Sequence, residues 1–326
     1  MPNAKDKDRR ESSKLNRRQF LGQSLFATTA LALGSQLSWA QDSSPIMRTI
    51  PSTGRQIPAI GLGSSATFSQ VAREEDIEAV RGVMSTLHRL GGRVFDTAPG
   101  YGASEEVAGQ VAQNLGIEDD LFWATKLNVA RNGPADPAAA REQLETSFAR
   151  VGKPTIDLVQ VHNMGDPDVQ LGILQEYKEA GRIQHIGITT TRESQYAELM
   201  QVMRQYPLDF IGIDYAVDNR NVEQEILPLA QEQGIAVLAY APFGRTRLWS
   251  RVGDRPVPGY AAEFDAHTWG QFFLKFVISH PAITAATPST SRPTNMEDNI
   301  GAMIGRLPDQ AMRQRMIATI DELPMA

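Results

Sequence analysis

Asp96, Tyr101, Lys126 and His162 are the residues of this chain whose types and order fit one reaction. Each reads as closing a different β-strand. The runs are Val94-Phe95-Asp96-Thr97-Ala98, Tyr101-Gly102-Ala103-Ser104-Glu105, Trp123-Ala124-Thr125-Lys126 and Val159-Gln160-Val161-His162-Asn163. A phenol can give up a proton, an ammonium beside it makes it a readier donor, a carboxylate holds the ammonium, and an imidazole supplies a further hydrogen bond. Such a set can protonate a carbonyl oxygen as hydride arrives at its carbon. Taken singly, Asp96 could cap a helix or turn, Lys126 could be a surface lysine and His162 could open a loop. Together they ask for one surface on which four strand ends converge.

The elements that would build that surface are legible along the chain. Short β-branched or aliphatic runs predict strands at 58–62, 93–97, 121–126, 156–162, 183–188, 209–214, 235–240 and 282–287. Between them, apolar residues at helical spacing predict helices over stretches such as 74–90, 104–114, 137–151, 169–180, 222–233 and 268–279. Strands alternating with helices form a parallel sheet with right-handed crossovers. Eight such units predict a closed (β/α)8 barrel, whose catalytic residues stand at the C-terminal ends of its strands. A doubly wound open sheet is the alternative, but no strand opens into a Gly-x-Gly-x-x-Gly turn. Residues 47–50 and 56–58 flank Pro51-Ser52-Thr53-Gly54 and predict a hairpin capping the barrel bottom. The stretch 243–267, rich in Gly, Pro and Arg, is expected to be the longest irregular segment and a lid or binding loop.

With Gly61-Leu62-Gly63 before these four residues and Thr290-Ser291-Arg292-Pro293 after them, the chain resembles the aldo-keto reductases from about 47 to 303. The most specific motif is Asp96-Thr97-Ala98-Pro99-Gly100-Tyr101-Gly102-Ala103-Ser104-Glu105. The resemblance implies Tyr101 as proton donor, Lys126 and Asp96 as its charged support and His162 as donor to the substrate oxygen. A free tyrosine ionises near ~10, too high for efficient donation at neutrality, which gives the ammonium its purpose. It also implies a nicotinamide cofactor. Gly63 and Ser64 would lie near the nicotinamide, with Thr189 and Thr190 near its carboxamide and Tyr240 stacked on the ring. Ala241, Phe243 and Gly244 would line the pyrophosphate, and Ser289, Thr290, Ser291, Arg292, Asn295 and Asn299 the adenosine phosphate. Arg292 at a helix start suits a 2′-phosphate, so NADPH is expected over NADH. Three positions depart from the family pattern: Thr189-Thr190 in place of Ser-Asn, Gly212 in place of a Gln, and Asn295 in place of an arginine. Trp249, Trp269, Phe68 and residues 128–136 are candidates for substrate selectivity. The chain's end soon after its last predicted helix is expected to leave an open pocket.

The 326 residues, 41% of them apolar, suffice for a full core. Mean hydropathy is -0.30, and no run is suited to a lasting membrane anchor. Residues 1–40 are unlike the rest. Asn16-Arg17-Arg18-Gln19-Phe20-Leu21, an apolar stretch over 24–37 and Ser38-Trp39-Ala40 before Gln41 resemble a twin-arginine export signal. That implies recognition of residues 16–21 by the translocase, a mature chain of 41–326 and a periplasmic location. The segment carries seven basic and three acidic side chains, so removing its surplus of four from the overall -6 leaves -10. A surface that acidic argues against nucleic acid and anionic membranes as partners. There is no cysteine, hence no disulfide framework. No exposed heptad or apolar helix face stands out, so a monomer acting on a small carbonyl compound is expected. Two other readings remain open at this point: a nicotinamide-sensing barrel with little turnover, and a lyase forming a Schiff base through Lys126.

Overall fold

The computed structural model describes residues 44–73, 76–130 and 133–324. The expected export signal lies outside the described residues. Between Ser44 and the C-terminus the chain forms one compact unit. It opens with an antiparallel hairpin, β1 (Met47–Thr49) against β2 (Gln56–Pro58), in the register Met47 opposite Pro58. Ile50 and Ile57 of this hairpin pack against Val94, Phe122, Leu158, Phe210, Ala236, Leu238 and Ala285, the inward-facing residues of the sheet. The hairpin thus plugs the barrel's N-terminal end, and Thr53 Oγ1 and His185 Nε2, 3.1 Å apart, tie it to the wall.

Eight parallel strands follow in sequential order. They are β3 (Leu62–Gly63), β4 (Val94–Asp96), β5 (Phe122–Leu127), β6 (Ile156–Val161), β7 (Ile183–Thr190), β8 (Phe210–Asp214), β9 (Ala236–Tyr240) and β10 (Ala285–Ala286). The ends meet: Gly61 donates to Ala286 O at 2.9 Å, Ala286 donates to Ala59 O at 2.9 Å, and Gly63 donates to Pro288 O at 3.0 Å. Parallel bridges Ile60–Ala286 and Gly63–Ser289 complete the seam. The sheet is therefore closed, as expected, and the open-sheet alternative falls. The seam strands are shorter than 58–62 and 282–287; in the first, Pro58 has no N–H to give a ladder and is used by the hairpin instead. Close approach explains Gly63, where a Cβ would stand 2.5 Å from Thr287 O.

A second, larger core fills the space between the sheet and its outer helices. Helix boundaries follow local chemistry. The helix Ile77–Arg89 begins where Asp76 accepts from Ala79 N at 3.0 Å, so the predicted stretch from 74 is broken there. Helices Ser104–Leu115, Pro137–Val151 and Ile226–Gln233 end on Gly116, Gly152 and Gly234 in the left-handed conformation. The segment 243–267 proves more ordered than its composition suggests. It carries the short helix Arg247–Val252 and a 3-10 turn, Gly259–Phe264.

Candidate active site

Strand pleating decides which side chains reach the barrel mouth. On β4, β5 and β6 the inward rows are Val94–Asp96, Phe122–Ala124–Lys126 and Leu158–Gln160, with His162 starting the turn beyond β6. Apolar residues fill the lower layers and polar ones the upper end. There Lys126 Nζ donates to both carboxylate oxygens of Asp96 at 2.9 Å and to Thr97 O at 2.8 Å. Lys126 is 2% and Asp96 4% exposed, so the pair is shielded from water. Burial alone would lower the Lys126 ammonium, but Asp96, Tyr101 and Glu105 outweigh it and the group is held above the ordinary lysine value. Burial pushes the Asp96 carboxyl up, opposed by the Lys126 charge and by hydrogen bonds from Lys126 and Tyr240. A lysine with three acceptors and its charge stabilised is poorly suited to act as an amine nucleophile, which counts against the Schiff-base reading.

Contrary to expectation, Tyr101 closes no strand of its own: it enters from the loop after β4, the strand that carries Asp96, half-buried, its ring centre 5.5 Å from Lys126 Nζ. The imidazole of His162 stands edge-on to it, with centres 6.0 Å apart at 81°. The Asn128 amide lies 3.1 Å from His162 Nδ1. With Asn128 Nδ2 donating, Nδ1 is the acceptor, which assigns the ring proton to Nε2. The four residues that the sequence singles out therefore share one end of one cavity.

That cavity, of about 620 Å³, is lined by Asp96, Tyr101, Lys126 and His162, by Gly63, Thr189, Tyr240, Ala241, Phe243 and Ser289, and by residues not singled out in the sequence. Ser65, Asn163, Thr191, Arg245, Thr246 and Thr287 belong to this last group. A second chamber of about 330 Å³ shares Phe243, Trp249 and Ser289 with the first and adds Thr290, Asn295, Asp298 and Asn299. The two adjoin across these shared walls, and the second lies against helix Pro293–Gly301.

Several expected positions are placed differently. Ser64 is fully buried behind the strand end, and Ser65 faces the cavity instead. Thr190 turns away from it, donating to Gln195 Oε1 at 2.6 Å and accepting from Arg192 N, while Thr189 lines it. Gly244 lies beneath the wall that Phe243 and Arg245 form. Ser291 and Arg292 line neither chamber; Arg292 is exposed at the N-terminus of helix Pro293–Gly301. Trp249 lines both chambers and is braced by Phe243 and Phe273 at 5.2 and 5.5 Å. Phe68 and Trp269 are core residues, against Phe95 and against Phe272 and Phe273.

The backbone is strained around this mouth. Ala66, Asn163, Met164, Asp166, Ala241, Arg245 and Thr246 all have positive φ, and all follow the C-terminal ends of β3, β6 or β9. Left-handed geometry is costly for side chains with a Cβ, most of all for a β-branched residue such as Thr246. The loop after β9 is also tethered, with Arg245 Nε 3.5 Å from Asp214 Oδ2 and Arg247 Nε 2.7 Å from Asp218 Oδ2.

A sequence model of the aldo/keto reductase family matches residues 59–320. Among curated proteins, the chain is 26% identical over 299 residues to the aldo-keto reductase str7 of Strobilurus tenacellus, covering 81% of this chain and 87% of that one. It is 25% identical over 300 residues to the aldo-keto reductase yakc [NADP(+)] of Schizosaccharomyces pombe, covering 79% and 87%. Among solved structures, the holo form of aldo-keto reductase AKR11C1 from Bacillus halodurans superposes with a TM-score of 0.69 at 22% identity, covering 85% and 96%. An aldo/keto reductase from Klebsiella pneumoniae in complex with NADP and acetate gives 0.69 at 22%, covering 86% and 99%.

Proposed function

The chain belongs to the aldo/keto reductase family, and from that premise we propose that it is an NADPH-dependent oxidoreductase interconverting an aldehyde or ketone and an alcohol. The observation that carries this is the buried Lys126–Asp96 pair beside Tyr101, with His162 edge-on to the same phenol, at the mouth of a closed barrel.

The cleft suits a dinucleotide. Its two chambers share Phe243, Trp249 and Ser289 as walls, and Thr287 Oγ1 on the first chamber's wall has no partner among the described residues. Thr189, Tyr240, Ser289 and the backbone of 241–244 would hold the nicotinamide half. Thr290, Asn295 and Asn299 would hold the adenosine, with Arg292 at the helix start available to a 2′-phosphate. When bound, the cofactor supplies hydride to the carbonyl carbon. Tyr101 gives its proton to the carbonyl oxygen as charge gathers there. Lys126, fixed by Asp96, supplies the positive charge that favours the resulting phenolate. His162, with its proton on Nε2, donates a hydrogen bond to the same oxygen. The strained loops confine the site so that these donors need not reorganise during the step.

The test is oxidation of NADPH by the full chain across a panel of aldehydes and ketones. In Tyr101→Phe turnover should fall by about 10²- to 10⁴-fold with NADPH binding kept. Full turnover without the phenol would refute the assignment.

We further propose, from Arg17, Arg18 and the segment 24–40, that the chain is exported folded by the twin-arginine route and works as a periplasmic monomer. Cell fractionation of the full chain against Arg17→Lys/Arg18→Lys tests the export. Equal periplasmic amounts would refute it, and sedimentation of the exported protein tests the monomer.

A further inference from the structure

The structure gives Gly212 a purpose. It faces inward on β8, and a Cβ there would stand 2.3 Å from Cε2 and 2.8 Å from the hydroxyl of Tyr240. No side chain fits, because the ring of Tyr240, at the end of β9, lies across this position. The ring's tip dips into the polar layer. Its hydroxyl accepts from Gln160 Nε2 at 2.8 Å and donates to Asp96 Oδ1 at 3.3 Å. Lys126 Nζ lies 5.3 Å from the ring centre. Gln160 Oε1 has no partner among the described residues, so the Gln160 amide is anchored here through its Nε2.

We propose that Tyr240 is a positioning residue for the proton-donating set: its hydroxyl, seated over Gly212 and oriented by Gln160, holds Asp96 in place for Lys126. This rests on the reductase reading and adds a second phenol to it, acting through the carboxylate and not on the substrate. Lys126 occupies both oxygens of Asp96 from one side, and Tyr240 fixes Oδ1 from another. A carboxylate with donors on two sides has one orientation, and so has the ammonium it holds.

The charged and titratable groups around Asp96 are few. Lys126 comes from β5, Tyr101 from the loop after β4, Tyr240 from β9, and Glu105 stands behind on the helix after β4. His162 faces Tyr101 from beyond β6, and Asp214 on β8 is occupied by Arg245. The titratable side chain of β7, His185, lies at the opposite end against Thr53. The Tyr240 hydroxyl favours the ionised form of Asp96, whose carboxyl burial otherwise pushes up. Its removal must therefore raise the pH at which Asp96 protonates.

The experiment is a pH titration of the Asp96 carboxyl ¹³C resonance in the full chain, assigned by its loss in Asp96→Asn, comparing wild type with Tyr240→Phe. At 3.3 Å this hydrogen bond is long, so its loss should move the titration upward by roughly half a pH unit. The acid limb of the NADPH-dependent reduction profile should move with it. Because phenylalanine keeps the ring, NADPH affinity should stay within about two-fold. Gly212→Ala, which displaces the ring, should shift Asp96 similarly, and the double variant should shift it no further. An unmoved Asp96 titration overturns the proposal, as does an effect confined to NADPH affinity. The resonance reports without turnover, so an inactive wild type would refute the reductase reading alone.

Discussion

Replacing Lys126 by methionine should destabilise the protein heavily, and replacing Asp96 as well should restore part of the loss. The two charges are 2.9 Å apart and at most 4% exposed. At an effective dielectric constant of about 20 their attraction is about 6 kcal/mol. Desolvation costs several kcal/mol per ion, so the intact pair is near break-even as a contribution to stability. Lys126→Met removes the attraction and leaves the Asp96 carboxylate buried with only the Tyr240 hydroxyl, a loss of about 3–5 kcal/mol. Asp96→Asn/Lys126→Met carries no orphaned charge and should regain about 1–3 kcal/mol of it. Urea unfolding followed by circular dichroism at pH 7 measures both. The pH dependence has a definite sign. Lys126 is raised in the folded state, so its stabilisation is complete below the ordinary lysine value and is lost as pH rises through the folded one. In Lys126→Met only the Asp96 cost remains, and it should shrink as pH falls through the raised folded value of Asp96. A double variant no more stable than Lys126→Met, or a deficit that grows in acid, would refute this account of the pair.

Three further outcomes are expected. Lys275, wholly buried with its ammonium on Ile304 O and Arg306 O, is pulled down to about 8 by burial. Its penalty is full below that value and fades as pH rises towards the ordinary lysine range, so wild type should gain up to about 3 kcal/mol between pH 7 and 10. Lys275→Met should lack this gain in denaturation curves, and an equal gain in both would refute it. Asn128→Leu removes the donor that fixes the His162 tautomer, and kcat should fall about ten-fold with little change in NADPH affinity; steady-state kinetics that show an unchanged kcat would contradict the tautomer assignment. Arg245→Ala breaks a contact whose arginine is 56% exposed, worth at most about 1 kcal/mol, so NADPH release in stopped flow should quicken only two- to five-fold. A hundred-fold change would mean that Arg245 touches the cofactor directly.

The strand ends at Asp96, Lys126 and His162 were legible because each follows an apolar run that two faces of a buried strand require, and because such ends converge in any closed parallel barrel. Closure itself was legible as eight repeats of strand and helix. The finer assignments slipped where one residue of register decides a face. Ser64 and Ser65 are neighbours just beyond β3, one buried and one on the cavity, while Thr189 and Thr190 differ only by the pleat of β7, which runs two residues beyond its expected end. Arg245 and Thr246 carried no motif; they reach the cavity because the loop after β9 is bent by four positive φ values and tied to Asp214 and Asp218.

By itself, then, the chain's order of residues determined the barrel, the polar upper layer and the four groups proposed to do the chemistry, since periodicity and strand-end placement are local properties. Only the tertiary structure decided what Gly212 is for. A missing side chain has no signal of its own along the chain; its meaning is the volume it leaves, and that volume is filled by Tyr240 from the neighbouring strand. The contact that results joins residues 144 positions apart in sequence, Asp96 and Tyr240, through a phenol whose direction the barrel's packing alone could set.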